Sequence, residues 1–384
     1  MRLLSLLLLA KAEKKTFVEL AVAASNRNPA FRLITRKIMS SNRNPAFRLI
    51  TRKIMSMASS IDLVEDLLAK NPQQKCDLGN GETLTYTIFP AAKEEKHTLV
   101  FVPGLTFDAE HSAWLSVRPE FDDHRIIAIN PRGYGGSTNN KSIFSHEENA
   151  EDVKLLLDKI GIRRTMAMGY STGGGTVTNL ALKYPERITA AFLKSSIPLN
   201  GWYYNLTPDG ERTNEPVTTR RGAKQLEETF SKMTGLSPEP NFDKYHERFS
   251  MLMVPGKSPP RDGLIWKRRY EGAVAHKSRF EAIVSNLWFN VTPVQTPRSP
   301  PSLALEGLKV PLIVIHGIND ITVSQKQARA ITELAEACNW APPGMISYYE
   351  HSGGHYPIFE CPDELFPLYR KALEEQALKA APGS

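Results

Sequence analysis

Three short stretches of the 384-residue chain carry side chains that could do chemistry together. The first is Gly169-Tyr170-Ser171-Thr172-Gly173, a G-x-S-x-G pentapeptide. A serine displayed on a sharp turn needs a strained backbone with small neighbours, and a helix starting there aims free N–H groups at developing negative charge. The second stretch, His316-Gly317-Ile318-Asn319-Asp320, puts a carboxylate just past an apolar run. The third, His351-Ser352-Gly353-Gly354-His355, has two glycines that let a loop fold an imidazole back. These residue types suit nucleophilic catalysis. Ser171 attacks, His355 takes its proton as general base, and Asp320 orients the imidazole. The chain order Ser, Asp, His is one of the orders in which this constellation occurs.

An oxyanion formed by such an attack needs two backbone N–H donors. The spacing assigns them to Thr172, which follows the nucleophile, and to Leu105, which follows Pro103-Gly104 at the end of another apolar run. Of the other histidines, His316 is expected to make a structural hydrogen bond, and His351 could wall a pocket. A metal site built from His316, Asp320 and His355 matches no ligand spacing, so no metal and no cofactor are expected. Gly133-Tyr134-Gly135-Gly136 lacks the G-x-G-x-x-G spacing of a dinucleotide loop and reads as a turn after a strand. Tyr170, Trp202, Tyr203 and Tyr356 are candidates for a substrate pocket, with core packing as the competing reading for Trp202, Tyr203 and Tyr204. The basic run Lys267-Arg268-Arg269 reads as a solvated helix face.

The elements that must position these groups are legible as alternating periods. Short apolar runs at Thr98–Val102, Arg125–Ile129, Thr165–Gly169, Ile188–Lys194, Val310–Ile315 and Met345–Glu350 read as strands. Between them lie helical patterns at Ser145–Ile160, Thr172–Tyr184 and Ser324–Cys338, with a last one from about Pro362. In the first of these, Ser145 and Glu148 could form a capping box, and Val153, Leu156, Leu157 and Ile160 an apolar stripe. The alternation predicts an α/β fold, a mostly parallel central sheet with helices on both faces. Ser171, Asp320 and His355 each fall just beyond a strand's carboxyl end, where such sheets bind ligands. Residues 197–308 break the pattern, being rich in Pro, Arg and aromatics with helical pieces. They read as a helical cap inserted into a core formed by 57–196 and 309–384.

Charge is unevenly spread. Twelve of the 48 Lys and Arg but only two of the 41 acidic residues fall in residues 1–56, leaving 36 basic and 39 acidic residues in the body. The body is mildly acidic, which removes the main support for nucleic-acid binding. Within the basic leader, residues 25–40 are repeated without change at 41–56, too short and too few for a solenoid. The leader reads as disordered or as a targeting segment: Leu3–Ala10 has the look of a short secretory core, and the acid-free stretch Ala21–Ile61 that of an organelle transit peptide. No apolar run reaches the roughly 18 residues needed to span a bilayer. Cys76, Cys338 and Cys361 are far apart and form no metal or redox pair, as expected of free thiols in a reducing compartment. The expected location is cytoplasmic, or mitochondrial if the leader acts as a transit peptide. The Asn205 and Asn290 sequons weigh little beside that.

On these residues the chain resembles the alpha/beta-hydrolase superfamily over about residues 75–376. The landmarks are Asn130-Pro131-Arg132-Gly133-Tyr134-Gly135-Gly136-Ser137, the turn at Ser171, Asp320 and Gly354-His355. Ser171-Thr172-Gly173-Gly174-Gly175 looks like the turn of the cofactor-free (non-haem) chloroperoxidase and esterase group. Gly353-Gly354-His355-Tyr356-Pro357 is similar to the histidine loop of capped hydrolases acting on esters, epoxides or carbon–carbon bonds. The serine at 171 argues against the epoxide hydrolases and dehalogenases, which use an aspartate there. Two positions depart from the family: Pro103-Gly104 stands where His-Gly is common, and Asn130 where Asp is common. The resemblance implies hydrolysis of a small-molecule ester or related acyl bond. Carbon–carbon bond hydrolysis, perhydrolysis and a non-catalytic ligand-binding role are the alternatives.

Overall fold

The computed structural model describes residues 63–104, 109–140, 146–197, 239–259, 261, 263–275, 308–338 and 343–379. The duplicated leader, Ser145, Leu105, Trp202, Tyr203, Tyr204, Asn205 and Asn290 lie outside these residues. Residues 1–70 and 71–384 form separate units; of the first, residues 63–70 are helical.

Eight strands make one sheet: β1 Gln74–Asp77, β2 Thr83–Phe89, β3 His97–Val102, β4 His124–Asn130, β5 Thr165–Tyr170, β6 Ile188–Lys194, β7 Leu312–Gly317 and β8 Ile346–His351. Their spatial order is β1-β2-β4-β3-β5-β6-β7-β8. β1 and β2 are antiparallel, β2 pairs antiparallel with β4, and every pairing from β4 to β8 is parallel. The chain runs from β3 outward to β4, then returns across β3 to β5. The order therefore reverses beside β3 and β5, and the crevice of such a sheet opens at the carboxyl ends of those two strands.

The parallel strands β3 to β7 read as largely apolar runs because both of their faces are covered, whereas β8 at the sheet edge is half-buried. Alternate side chains point to opposite faces. Val100, Val102, Ile127, Ile129, Leu193 and Val314 join one core cluster with Val153, Leu156 and Leu157 of α1 (His146–Lys159) and Val177 and Leu180 of α2 (Gly173–Lys183). On the other face Phe192 meets Tyr369 of α6 (Pro362–Lys379), with ring centroids 4.7 Å apart, and Tyr369 stacks on Phe121 at 4.5 Å. α5 spans Gln325–Cys338, between β7 and β8. Each expected strand and helix is present, shifted by two residues at most. β7 starts later than expected, at Leu312, beyond Val310 and Pro311.

The sequence reading did not name β1 and β2. β1 is a four-residue polar edge strand with little apolar signal, as suits an edge that must not invite further pairing. β2, Thr83-Leu84-Thr85-Tyr86-Thr87-Ile88-Phe89, is rich in β-branched and aromatic residues but has threonines where a buried parallel strand would carry Val or Ile. Thr85 is fully buried, and its side chain bonds Ser137 and Asn130, fastening the Asn130–Ser137 turn to this strand.

Between β6 and β7 no strand occurs among the described residues. α3 (Phe242–Met251) is capped by Asn241, whose side chain accepts from the Lys244 amide at 3.0 Å. α3 packs on α4 (Leu264–Ala275) through Tyr245–Tyr270 and His246–Trp266 ring contacts at 5.5 and 4.9 Å. The basic run on α4 is not all solvated, contrary to expectation. Lys267 is exposed, but Arg269 turns inward, its guanidinium 4.7 Å from the Phe249 ring and 5.1 Å from that of Tyr356. A guanidinium is weakly hydrated and stacks well on aromatic faces, so the apolar surroundings draw it in.

The Asn130–Ser137 turn is fixed by a buried charge pair. Arg132 donates to both Asp152 oxygens, at 2.5 and 2.8 Å, and lies 3.7 Å from Glu82; all three are at most 2% exposed. Removing one member of a buried pair leaves the others uncompensated, at a typical cost of about 3–5 kcal/mol. Arg132→Met is therefore expected to lower unfolding free energy by that amount in urea, with the m-value unchanged.

Candidate active site

Ser171 stands between β5 and α2 with φ of 52°, in the left-handed region that costs a non-glycine residue about 1–3 kcal/mol. The surroundings hold it there. Its amide donates to Lys194 O at 3.1 Å, and its carbonyl accepts from Gly174 N at 3.0 Å and Ile197 N at 3.2 Å. The turn is tight enough that a Cβ on Gly173 would lie 2.3 Å from Val102 O, so no larger residue fits. Thr172 is the N-cap of α2, where the first helical amides have no partner within the helix. The loop after β3 passes directly beside the serine, since a Cβ on Gly104 would sit 2.7 Å from Ser171 Cβ. Leu105 itself lies outside the described residues.

The structure brings the three spaced residues together. Ser171 Oγ is 3.1 Å from His355 Nε2, and His355 Nδ1 is 2.8 Å from Asp320 Oδ2. All three are buried. A carboxylate facing Nδ1 can only accept, so Nδ1 carries the proton and Nε2 is left to accept from the serine hydroxyl. The loops after β7 and β8 are stitched by Ile318 N to His351 O at 3.0 Å and Asn319 N to Gly353 O at 3.2 Å. This stitching is what sets Asp320 beside His355. The second Asp320 oxygen accepts the amides of Thr322 and Val323, both at 2.9 Å. Burial pushes the Asp320 carboxyl up, but the His355 charge and hydrogen bond, aided by His316 and the Val323 amide, hold it below its ordinary value.

His316 keeps the structural place expected of it. Its Nε2 is 2.9 Å from Val323 O, so Nε2 holds a proton and cannot ligate a metal there. His351 is buried, accepts the Gly353 amide on Nδ1 at 3.1 Å, and has Cys361 Sγ at 3.3 Å. Burial pushes its imidazole down to about 4 and the Cys361 thiol up to about 12. Among the described residues no group of three or more His, Cys, Asp or Glu is arranged to hold a metal ion, and no helix is long and apolar enough to cross a membrane.

With this geometry in hand, comparison with known proteins identifies the family. The model of the alpha/beta hydrolase fold matches residues 97–360, more than half of the chain. This protein belongs to the alpha/beta hydrolase family. A protein of Mycobacterium phage D29 named as a non-heme haloperoxidase is 22% identical over 65% of this chain and 81% of its own length. The bifunctional esterase/perhydrolase DCH of Acinetobacter calcoaceticus is 25% identical over 52% of this chain and 65% of its own. Among solved structures, a thermophilic esterase from Thermogutta terrifontis aligns with a TM-score of 0.56 at 17% identity, covering 79% of this chain and 99% of that one; the likeness is one of fold.

In this alpha/beta hydrolase, Tyr170 and Tyr356 flank the histidine, with ring centroids 5.4 and 5.3 Å from His355. The Tyr170 hydroxyl donates to His355 O at 2.8 Å, which ties it to the loop backbone. Behind Tyr170 lies a group that sequence reasoning missed. Lys194, at the end of β6, is 2% exposed, with its amine 4.5 Å from the Tyr170 ring centre and 3.4 Å from His111 Nε2. The His111 ring stacks on that of Tyr170 at 5.1 Å. A lysine closing the apolar strand Ile188–Lys194 was the available signal. Burial pushes its amine from 10.5 down to about 7. The unfolded chain binds the proton more tightly, so this group costs stability in full below pH 7, and the cost disappears as pH rises toward 10.5. Stability measured by urea unfolding is expected to rise between pH 7 and 10 through Lys194, and Lys194→Met to flatten that rise.

Proposed function

We propose that the chain is a serine hydrolase cleaving a small-molecule ester or related acyl bond through an acyl-enzyme on Ser171. The observation that carries this reading is the continuous hydrogen-bonded path from Asp320 through His355 to a serine held in a left-handed turn. His355 Nε2 takes the hydroxyl proton as Oγ attacks the carbonyl carbon. Asp320 keeps Nδ1 protonated and stabilises the imidazolium that forms. The tetrahedral oxyanion is received by the amides of Thr172 and Leu105, and His355 then returns the proton to the leaving alcohol. Water, deprotonated by the same nitrogen, attacks the acyl-enzyme; the bond to Ser171 Oγ then breaks, His355 returns the proton to that oxygen, and the acid leaves.

Two lines support the acyl reading. Water-excluded burial strengthens the charge interactions that such a path needs. The relative from Acinetobacter calcoaceticus is also named for ester chemistry. We assign residues 197–308 the role of a cap that walls the substrate, with Trp202, Tyr203 and Tyr356 on its lining and Tyr170 beneath. Arg269 against Tyr356 joins this segment to the histidine loop.

A fluorophosphonate probe tests the nucleophile. The full chain should label covalently and turn over p-nitrophenyl acetate. Ser171→Ala should abolish labelling and lower kcat by at least about 10⁴-fold, as removing a member of such a unit does. Asp320→Asn should lower kcat by a similar factor, because the amide favours the wrong imidazole tautomer. A chain that neither labels nor hydrolyses any member of an ester panel overturns the reading and leaves a ligand-binding protein.

A further inference from the structure

Glu360 is a buried carboxylate that the mechanism above does not use. It closes the short helical turn Pro357–Glu360 and is 3% exposed. Its Oε2 accepts the amides of Gly354 and Tyr356, both at 2.9 Å. These are the residues immediately before and after His355. Its Oε1 accepts the amide of Val254 at 2.6 Å, in the segment between α3 and α4. Among the described residues no Lys or Arg forms an ion pair with it, so the three N–H groups supply the compensation a buried charge requires.

Such an arrangement is costly, and it is specific. Burial pushes the Glu360 carboxyl up, and the amides of Val254, Gly354 and Tyr356 pull against that. Asp320 lies close enough to oppose the charge further. An apolar side chain would fill the same space without desolvating a carboxylate, but it could not accept hydrogen bonds from amides on both sides of one residue. With the Tyr170 hydroxyl on His355 O, the backbone around the histidine is fastened at two peptide groups, Gly353–Gly354 through its N–H and His355–Tyr356 through both its N–H and its C=O.

We propose that Glu360 is a positioning residue for the general base, clamping the His355 loop in the register that spans Ser171 and Asp320 and tying that loop to the inserted segment at Val254. This rests on the hydrolase reading for its effect on rate, but the clamp itself is a claim about the histidine loop. A carboxylate has lone pairs for all three donors. A glutamine has one carbonyl oxygen and presents an NH₂ group to at least one N–H donor, so the histidine loop or the Val254 segment tied to it must shift. Misplacing a catalytic group by about 1 Å costs about 10²-fold in rate.

The test uses the full chain carrying Glu360→Gln and, separately, Glu360→Asp, which keeps the charge but is one methylene too short. Steady-state ester hydrolysis should show kcat down by about 10- to 100-fold with KM within about threefold, as expected when only transition-state geometry is lost. The downfield proton resonance of His355 Nδ1–H against Asp320 should broaden or vanish in both variants while thermal unfolding stays cooperative. Amide exchange in the wild type supplies a readout independent of any variant: the Val254, Gly354 and Tyr356 amides should be protected far beyond neighbouring loop amides. A retained resonance with unchanged kcat in Glu360→Gln, or unprotected amides in the wild type, overturns the clamp. Resonance and exchange are read whether or not the chain hydrolyses an ester, so a silent ester assay overturns only the hydrolase reading.

Discussion

The structure depends on holding one serine where a serine resists being. A left-handed backbone at Ser171 stores about 1–3 kcal/mol, and nothing local to the residue offsets it. The compensation comes from around it: β6 accepts its amide through Lys194 O, α2 begins immediately after it, and the loop after β3 packs against its side chain. Ser195, at the end of the neighbouring strand β6, is also left-handed, with φ of 46°, and its amide is held by Ile315 O. Two adjacent parallel strands thus end in strained turns, each fixed by the next strand over. Strain of this kind persists only where surrounding structure over-determines it, and the reversal of strand order beside β3 and β5 is the place where it does.

Around that turn the carboxyl edge of the sheet is a set of buried polar groups satisfied mainly by backbone. Asp320 takes two amides besides the imidazole, Glu360 takes three, and His316 spends its proton on Val323 O. The buried Asp320 and Glu360 charges meet fixed N–H groups and, for Asp320, the His355 imidazole rather than lysines or arginines. Fixed dipoles need no reorganisation when charge develops, which suits an edge where a proton is to move. Lys194 is the exception. Its amine is sealed behind Tyr170 with the His111 ring as its polar contact, and burial brings its proton affinity near neutrality.

Much of this was legible in the order of residues. The parallel strands β3 to β7 announced themselves as apolar runs because they are covered on both faces, and the Ser171 and Asp320 stretches each followed one, while the stretch ending in His355 follows the half-buried edge strand β8. β1 and β2 were not legible, because one is a polar edge and the other carries threonines whose hydroxyls are used in pairing the Asn130–Ser137 turn. Arg269 was misread for a related reason. A basic triplet on a helix looks like a solvated face, and only the packing of α3 and the histidine loop shows aromatic rings on the side to which the third residue points.

The sequence by itself determined the fold class, the strand-to-helix turn at Ser171, and which hydroxyl, imidazole and carboxylate lie beyond strand ends. Those follow from local periods and from residue types that few other turns tolerate. Only the tertiary structure decided that the loops after β7 and β8 are stitched together, that Lys194 is buried behind Tyr170, and that Glu360 sits under the histidine. Each of these is a contact between segments far apart in the chain. Local propensity is blind to such contacts, which are made when the sheet closes and every buried N–H must find its acceptor.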